Sequence, residues 1–279
     1  MLTRISLVMS YIIYCVRFAV GPWKYFQLNA PYFNEKRDLF SKLDIDERIP
    51  KKWRLEQFMD LGHKNPAAYP VFVKPEWGQN SQGISRADSL QALQLIRQKR
   101  AASPPFYLLQ QAAPGKREFE IFIIPEQDNL QAVAVFSMTE TCNKSDDPLP
   151  INGIYNDSTY YKDCSAKLSL EQQNQIWRHL KQIGEFRIAR YGIRADSLES
   201  LIAGKFHIVE INLFVPMPLI LLVPEFSFWH KIKFIQGSMK QLAKATKTIP
   251  ETQAVKAIFF KKLKFSQLLK RITKHEISS

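Results

Sequence analysis

The stretch Tyr69–Ile84, YPVFVKPEWGQNSQGI, places a lysine inside a short apolar run and follows it with a loop rich in Gly, Asn, Gln and Ser. The run Val71–Val73 is typical of a short strand, and Lys74 stands at its end. An ammonium group there is costly to bury unless an anion meets it. A loop containing Gly78 and Gly83 can bring backbone N–H groups close to phosphate oxygens. The stretch therefore indicates a phosphate site, with a lysine that reaches solvent beside an ordinary loop as the alternative.

The composition indicates a globular chain. Of its 279 residues, 46% are hydrophobic and 12% are aromatic, which is enough apolar surface for a full core. The three cysteines form no CxxC pair. This disfavours a disulfide framework or a thiolate metal site, and it favours a reducing, cytoplasmic compartment.

The charge and the apolar residues are unevenly distributed. The formal net charge is +13, and residues 230–279 contain eleven Lys and one Arg against two Glu. Such a tail is typical either of a solvated helix face or of contact with an anionic surface. At the other end, Ile5–Val20 is apolar but shorter than the about 20 residues of a membrane span. We expect it to pack on the domain or lie on a membrane surface, so peripheral membrane contact through 1–23 or 250–279 is one expectation, and nucleic acid is disfavoured.

Patterning along the chain predicts an α+β protein with two lobes and a cleft between them. The predicted sections are an apolar N-terminal segment 1–33, a small lobe 34–112, a large lobe 113–221 and a basic helical part 222–279. The predicted helices cover 34–43, 88–100 and 169–186, the last opened by a Ser-x-x-Gln capping box. The predicted strands cover 71–73, 107–109, 118–124, 132–138 and 206–212.

A second group of polar residues indicates a metal site. Glu210 and Asn212 are two apart in a predicted strand, so their side chains leave the same face. A carboxylate and an amide are oxygen donors suited to Mg²⁺. Asp196 precedes them at the spacing of a hairpin partner. An exposed polar face of an edge hairpin is the alternative.

Taken in order, four motifs resemble the ATP-grasp superfamily, most closely its D-alanine–D-alanine ligase branch. They are Lys74-Pro75 with its Gly/Ser loop, Gln110 with Gly115 and Glu118, Arg194-Ala195-Asp196, and Glu210-Ile211-Asn212. The resemblance covers about residues 34–218 and implies an ATP-grasp fold whose lobes clasp a nucleotide, with a reduced N-terminal region.

The resemblance also implies roles for individual residues. Lys74 and Lys36 would contact the ATP phosphates beneath the loop of Gly78, Ser81 and Gly83. The adenine would be lined by Gln110, Gln111 and Ala113, and the ribose would be bound by Glu118. Mg²⁺ would be held by Asp196, Glu210 and Asn212. Arg194 would stabilise the transferred phosphoryl group, and Ser81 would hold the loop closed.

The sequence departs from the family at the hinge and after the metal motif. Gln110 stands where the family usually has Glu, and the apolar segment Leu213–Pro218 replaces a small-residue turn. The leading hypothesis is an ATP- and Mg²⁺-dependent ligase that joins a carboxylate to an amine, or less readily a thiol, through an acyl phosphate. The rival is a catalytically degenerate ATP-grasp scaffold whose basic C-terminal helix binds a membrane surface or nucleic acid.

Overall fold

A computed structural model of the chain describes residues 2–76, 78, 81–100, 106–127, 129, 132–252 and 258. Its α-helices are α1 (Leu2–Arg17), α2 (Lys42–Asp46), α3 (Leu90–Lys99), α4 (Leu170–Leu180), α5 (Leu198–Ile202) and α6 (Phe228–Lys247). Its strands are β1 (Gln57–Met59), β2 (Val71–Pro75), β3 (Ser85–Ala87), β4 (Tyr107–Gln111), β5 (Arg117–Pro125), β6 (Val133–Asn143), β7 (Thr159–Asp163), β8 (Ala189–Ala195) and β9 (His207–Asn212). The strands form two antiparallel sheets flanked by helices, which confirms the α+β class.

The smaller sheet has the strand order β1-β4-β2-β3. Val71, Val73 and Leu109 point to one face and pack with Leu93 of α3 in a single apolar cluster. Because side chains alternate along a strand, Lys74 points to the opposite face. That face is the one turned toward the larger sheet, and it lines a cleft.

The larger sheet has the strand order β7-β6-β5-β8-β9. In the central strand β5, Phe119 and Ile121 join the main apolar cluster together with Trp177 of α4. The alternate positions Glu118 and Glu120 point to the other face and line the cleft. The alternation of β5 therefore places two carboxylates opposite the small sheet.

The same face of β5 is covered by helices further along the strand. Phe122 and Ile124 pack there in a second apolar cluster that includes residues of α1 and α6. The two helices are joined by a hydrogen bond of 2.8 Å between Tyr11 Oη and Thr246 Oγ1. Helical cover over one half of this face leaves the Glu118 half open to the cleft.

Helix α1 turns its apolar side outward. Its inward side carries Ser10, Tyr11 and Cys15, all buried. The outward side is 36–73% exposed and consists of Ile5, Val8, Met9, Ile12, Ile13 and Val16. Among the described residues, no single helix is long and apolar enough to cross a membrane. One pair of helical segments, Thr3–Arg17 and Pro22–Tyr32, has the length and composition of a membrane span when taken together, but the pair is bent by 106°.

The helix predicted over 34–43 is wrong. Asn34 and Leu39 instead pair across a tight turn in which Asp38 has φ +55°. The helix begins only at Lys42, because Ser41 Oγ accepts a hydrogen bond from Asp44 N at 3.3 Å and caps it. Local capping therefore overrode the weak apolar periodicity of this segment.

The other predicted elements are present with shifted ends. The capping box at Ser169 is confirmed, but α4 ends at Leu180 rather than near 186. Helix α3 is capped by Ser89 rather than by Asp88. Strand β2 continues through Pro75, so Lys74 lies within the strand rather than after it. Most of the basic segment 253–279 lies outside the described residues.

Candidate active site

A cleft separates the two sheets and is lined by charged and polar groups from both. The polar side chains in its wall are Lys74, Ser81, Gln110, Gln111, Glu118, Glu120, Thr141, Asn152, Tyr161, Arg190, Arg194 and Glu210. The small sheet thus contributes a lysine, and the large sheet contributes the three glutamates and two arginines.

Lys74 is held at the floor of the cleft. It is only 4% exposed, and its Nζ donates to Gln110 Oε1 and, at 3.1 Å, to Val209 O of β9. Gln110 Nε2 donates to the same carbonyl at 3.1 Å. Burial lowers the pKa of Lys74 to about 7, and the positive charge of Lys42 acts in the same direction. Within the described part of the chain, its hydrogen-bond acceptors are the uncharged oxygens of Gln110 and Val209, so its charge is available to an anion.

Lys42 is a functional candidate that the sequence analysis missed. Its Nζ donates to Pro75 O at 2.9 Å, so it lies against the end of β2. Glu76 fixes this arrangement because it accepts a hydrogen bond from Ser41 Oγ at 2.8 Å. Loss of hydration lowers the pKa of Lys42, while Glu210 and Glu76 oppose the shift. The signal in the sequence was the helix cap at Ser41, which places Lys42 at the first turn of α2.

An acid cluster lies opposite these lysines on the large sheet. Arg190 Nε is 3.0 Å from Glu120 Oε2, and Arg190 Nη2 is 3.6 Å from Glu210 Oε1. Asn212 Nδ2 donates to Glu210 Oε1 at 2.8 Å. Glu120 Oε2 has no hydrogen bond of good geometry despite its burial. Two carboxylates and an amide therefore share one site with a single arginine.

The two carboxylates of the cluster differ in acidity. Burial raises the pKa of Glu120 to about 8, against the opposing effect of Arg190. The pKa of Glu210 is lowered, because the charges of Arg190, Lys42 and Lys74 outweigh the effect of burial. The pKa values of the two carboxyls are therefore shifted in opposite directions, and burial disfavours the charged form of Glu120.

Gly192 allows the two glutamates to converge. It pairs with both Glu120 and Glu210 in the sheet register. A Cβ at this position would lie 3.1 Å from Glu120 Oε1 and 3.1 Å from Glu210 Cγ. A side chain here would push the carboxylates apart, so the absence of one makes the cluster possible.

Asp196 is not where the sequence analysis expected it. The residue opposite Glu210 is Gly192, because a bulge after Gly192 shifts the pairing of β8 with β9. Asp196 follows the end of β8, is exposed and is not part of the cleft wall. Four residues of strand correspond to about 13 Å, which separates Asp196 from the cluster. The carboxylate close to Glu210 is instead that of Glu120 in β5, since both residues pair with Gly192 of β8.

The donor set of the cluster suits Mg²⁺. No group of three or more His, Cys, Asp or Glu side chains with metal-binding geometry is found in the part of the chain that the structure describes. Mg²⁺, however, is commonly held by one or two carboxylates together with phosphate oxygens of a substrate. Glu120, Glu210 and Asn212 provide hard oxygen donors of this kind.

The residues expected around the nucleotide are partly brought together. Gln111, Ala113 and Glu118 line the cleft, and Glu118 Oε2 accepts from Asn152 Nδ2 at 3.1 Å. Gln110 lines it too, but its side chain is engaged with Lys74 and Val209. Its amide is therefore used to position the lysine.

Two other groups of expected residues differ in position. Ser81 lines the cleft, and its Oγ donates to Asn152 O across the lobes. Gly78 and Gly83 belong to the same loop but pack near Pro75 and are not part of the wall. Lys36 is exposed in the turn between Asn34 and Leu39 and does not reach the cleft.

Arg194 lines the cleft and is fixed by backbone carbonyls. Its Nη2 donates to Gly115 O at 2.8 Å and to Pro148 O at 2.9 Å. Burial lowers its pKa, and Glu118 and Asp147 oppose the shift. The guanidinium retains its charge at neutral pH because the reference pKa of Arg is above 12.

The cleft is nearly closed. Arg86 Nη1 donates to both oxygens of Asp147 at 2.7 and 2.6 Å and so joins the small sheet to the loop after β6. Together with the Ser81 contact, this leaves about 120 Å³ accessible in the cleft. Ligand pockets usually measure about 300–1,000 Å³, so a nucleotide requires these loops to open.

A larger apolar cavity of about 550 Å³ adjoins the acid cluster. Its walls come from α1, the segment 214–218 and α6, and it shares Arg190 and Asn212 with the cluster. The segment Leu213–Pro218 is bulky and apolar, but this pattern alone does not indicate that the segment forms a wall of a cavity.

Comparisons with known proteins found similarity to solved structures. No family model and no curated protein matches the chain. Solved structures with partial similarity include D-alanine–D-alanine ligase from Bacillus anthracis (14% identity, 74% of this chain and 66% of that chain, TM-score 0.47). They also include D-Ala:D-Ser ligase from Enterococcus faecalis (14% identity, 74% of this chain and 60% of that chain, TM-score 0.48). A third is L-amino acid ligase from Bacillus licheniformis (18% identity, 72% of this chain and 47% of that chain, TM-score 0.46).

These identities concern the fold alone, and the chain spans between about half and two thirds of the length of the ligases. With TM-scores of 0.46–0.48, the similarity of the chain to these ligase structures is partial.

Proposed function

We propose that the chain is an ATP- and Mg²⁺-dependent ligase that joins a carboxylate to an amine through an acyl phosphate. The observation that carries the proposal is that Lys74 lines one cleft together with Glu120 and Glu210, while Lys42, held against the end of β2, is close enough to Glu210 for their charges to interact. Phosphoryl transfer requires positioning and positive charge rather than covalent help from the protein. The cleft offers both.

Each side of the cleft has a separate task in this reaction. Lys74 and Lys42 bind phosphate oxygens, and Glu120, Glu210 and Asn212 would hold Mg²⁺, which would neutralise charge at the phosphates. A substrate carboxylate oxygen attacks the γ-phosphorus while the bond from that phosphorus to the ADP oxygen breaks. The amine then attacks the acyl carbon, phosphate leaves, and the nitrogen loses a proton.

The remaining cleft residues position and protect the reacting groups. Arg194 stabilises the negative charge that develops on the transferred phosphoryl group. Gln111, Ala113 and Glu118 bind the adenine and ribose. The Ser81 loop closes over the site and keeps the acyl phosphate from water.

Calorimetric titration with ATP in the presence of Mg²⁺ tests this proposal. Wild type is compared with Lys74→Ala and Glu210→Ala, each of which removes one side of the cleft. Lys36→Ala is the matched control, since it removes an exposed lysine of the same lobe that does not reach the cleft. We expect binding in wild type and Lys36→Ala and at least tenfold weaker binding in the other two, since loss of a charge-assisted hydrogen bond costs about 1.5–3 kcal/mol.

Two results would overturn the ligase proposal. One is the absence of nucleotide binding to folded wild type. The other is equal affinity in wild type, Lys74→Ala and Glu210→Ala, which would place the nucleotide outside this cleft. Release of ADP, assayed with panels of carboxylates and amines, then identifies the substrates.

We also propose that the protein associates peripherally with a membrane through α1. The observation that favours this is the outward apolar face of α1, since a soluble surface rarely presents so many adjacent apolar side chains. Arg4 and Arg17 flank the face, and Trp23 beside it is 73% exposed. Cations and tryptophan at the edge of an apolar helix are typical of interfacial helices.

A further inference from the structure

The apolar cavity of about 550 Å³ is not used by the chemistry above. It lies beside the acid cluster, between α1 and α6, and is within the size range of ligand pockets. Most of its wall is hydrocarbon or aromatic, including Phe122, Ile188, Met239 and Leu242. A cavity of this composition favours an apolar ligand.

The inner end of the cavity is polar and belongs to the active site. Arg190 and Asn212 line the cavity, and Arg190 also lies 3.0 Å from Glu120 and 3.6 Å from Glu210. Its Nη1 donates to Met217 O at 3.2 Å, which ties the cavity wall to the cluster. A ligand whose apolar body fills the cavity therefore presents its polar end at the place of reaction.

The segment after β9 is a fixed wall rather than a loose loop. Pro216 and Pro218 are buried, and Phe214 packs against Phe26 and Phe40 with ring centroids 5.9 and 6.1 Å apart. Val215 has φ +49°, a conformation that is unfavourable for a β-branched residue. Strain of this kind is retained where the surroundings require it and is typical of ligand sites.

Part of the cavity wall is formed by residues on the outward face of α1. Val8 and Ile12 line the cavity and are also among the exposed residues of that face. An amphiphile that lies in a lipid surface against α1 therefore reaches the cavity without crossing water.

We propose that the carboxylate substrate is an amphiphile with a hydrocarbon chain, whose chain occupies this cavity and whose carboxylate lies at Arg190. The inference rests on the proposed ligase function, because it assigns the acid of that reaction. Arg190 is the cationic side chain at the junction, so it selects a carboxylate head over an ammonium head.

The test measures binding of decanoate and of decylamine, each with and without Mg²⁺ and ATP. Val8→Trp fills the mouth of the cavity. The matched control is Val16→Trp, the same substitution on the same exposed face of α1 at a residue that does not line the cavity. We expect decanoate to bind wild type and Val16→Trp, with at least tenfold weaker binding to Val8→Trp, and ATP affinity to be equal in all three.

The outcomes separate this inference from the ligase proposal. If ATP binds and decanoate does not, or if decylamine binds better than decanoate, the substrate assignment is wrong and the ligase proposal stands. If decanoate binds equally to Val8→Trp and Val16→Trp, the chain lies elsewhere and the assignment is also wrong. If decanoate binds as expected but ATP does not bind, the ligase proposal fails, and the substrate assignment fails with it.

Discussion

Lys74 shows how burial prepares a charge for an anion. With a pKa of about 7, a large fraction of the side chain is neutral at physiological pH. The reference pKa of an unfolded lysine is about 10.4, so between pH 7 and 10 the unfolded chain binds a proton that the folded chain does not. This residue therefore disfavours folding most below pH 7, and its cost declines as the pH rises toward 10. A bound triphosphate would instead favour the charged form of Lys74.

We expect nucleotide binding to be accompanied by proton uptake at Lys74 above pH 7. The phosphate charge raises the pKa of the ammonium, so the affinity for ATP should fall as the pH rises from 7 to 9. Calorimetry at pH 8 in buffers with different heats of ionisation measures the protons exchanged. Lys74→Met should remove this uptake, and an unchanged value in Lys74→Met would show that another group takes up the proton.

The acid cluster gives a second prediction at the residue scale, which compares Glu120 with Asp196 as the ligand of Mg²⁺. Glu120→Gln should weaken Mg²⁺-dependent binding of ATP by at least the about 10- to 100-fold that even outer groups of metal sites contribute. Asp196→Asn should leave it unchanged, because Asp196 is exposed and outside the cleft. Titration of Mg²⁺ at fixed ATP measures the effect. A large loss in Asp196→Asn alone would restore Asp196 as the ligand.

At this scale, part of the site could be predicted from the sequence. Lys74, Glu210 and Asn212 could be predicted because strand alternation and donor chemistry are local properties. Glu120 could not, because its relation to Glu210 depends on which strands are neighbours in the sheet. Asp196 was placed by counting along a hairpin, and the bulge after Gly192 changed that count.

At the scale of elements, the loops that close the cleft are held by few contacts. Arg86 and Asp147 are 27% and 33% exposed, so their ion pair is accessible to solvent. Exposed pairs contribute about 0.2–1 kcal/mol, which is small enough to break when a ligand enters. The hydrogen bond of Ser81 to Asn152 O belongs to the same closure.

We expect Arg86→Ala to favour the open cleft. The KM for ATP should rise about two- to fivefold, the equivalent of about 0.5–1 kcal/mol, and ADP release without an amine should increase as water reaches the acyl phosphate. Steady-state assays with and without the amine measure both. Arg178→Ala, which removes an exposed arginine of α4, is the control. A lower rate of amine-free ADP release in Arg86→Ala would contradict a lid role.

The elements themselves were largely predictable. Strand β5 is a run rich in Ile and Phe that begins with alternating polar and apolar residues, and Ser169 opens α4 with a capping box, so each carries its own signal. The segment 34–43 has neither, and its turn depends on the positive φ of Asp38 and the cap at Ser41. The error there also concealed Lys42, because a helix beginning at Asn34 places that lysine at its end.

At the scale of the whole molecule, the ends of the described chain are brought together. The apolar pattern of residues 5–20 predicted a helix, but it could not identify α6 as the partner of α1. That pairing depends on contacts distant in sequence, such as the hydrogen bond of 3.0 Å from Gln236 Nε2 to Ser10 Oγ. The inward side of α1, which carries Ser10, Tyr11 and Cys15, is covered by this pairing, and the residues of its opposite side remain outward.

We expect wild type to sediment with anionic liposomes and the triple variant Ile5→Ser, Met9→Ser, Ile13→Ser to stay in solution. The apolar face supplies the binding energy, and the basic charge of the chain favours anionic lipid. Co-sedimentation with vesicles of phosphatidylserine and phosphatidylcholine measures the bound fraction.

The control for this prediction removes three exposed apolar residues elsewhere. The variant Leu61→Ser, Leu95→Ser, Leu170→Ser changes side chains that are 56–72% exposed and lie outside α1. It should bind vesicles like wild type. Equal loss of binding in both triple variants would show that general surface hydrophobicity, not α1, is responsible.

The shared bonds of Lys74 and Gln110 to Val209 O have a kinetic consequence. In the empty protein they join the two sheets at the cleft, and Lys74 finds its hydrogen-bond acceptors within the protein. In the proposed ligase, an incoming triphosphate has to exchange this contact for its own oxygens before it is fully bound. We therefore expect nucleotide capture in two stages, a fast encounter followed by a slower opening of this contact whose rate becomes independent of ATP concentration.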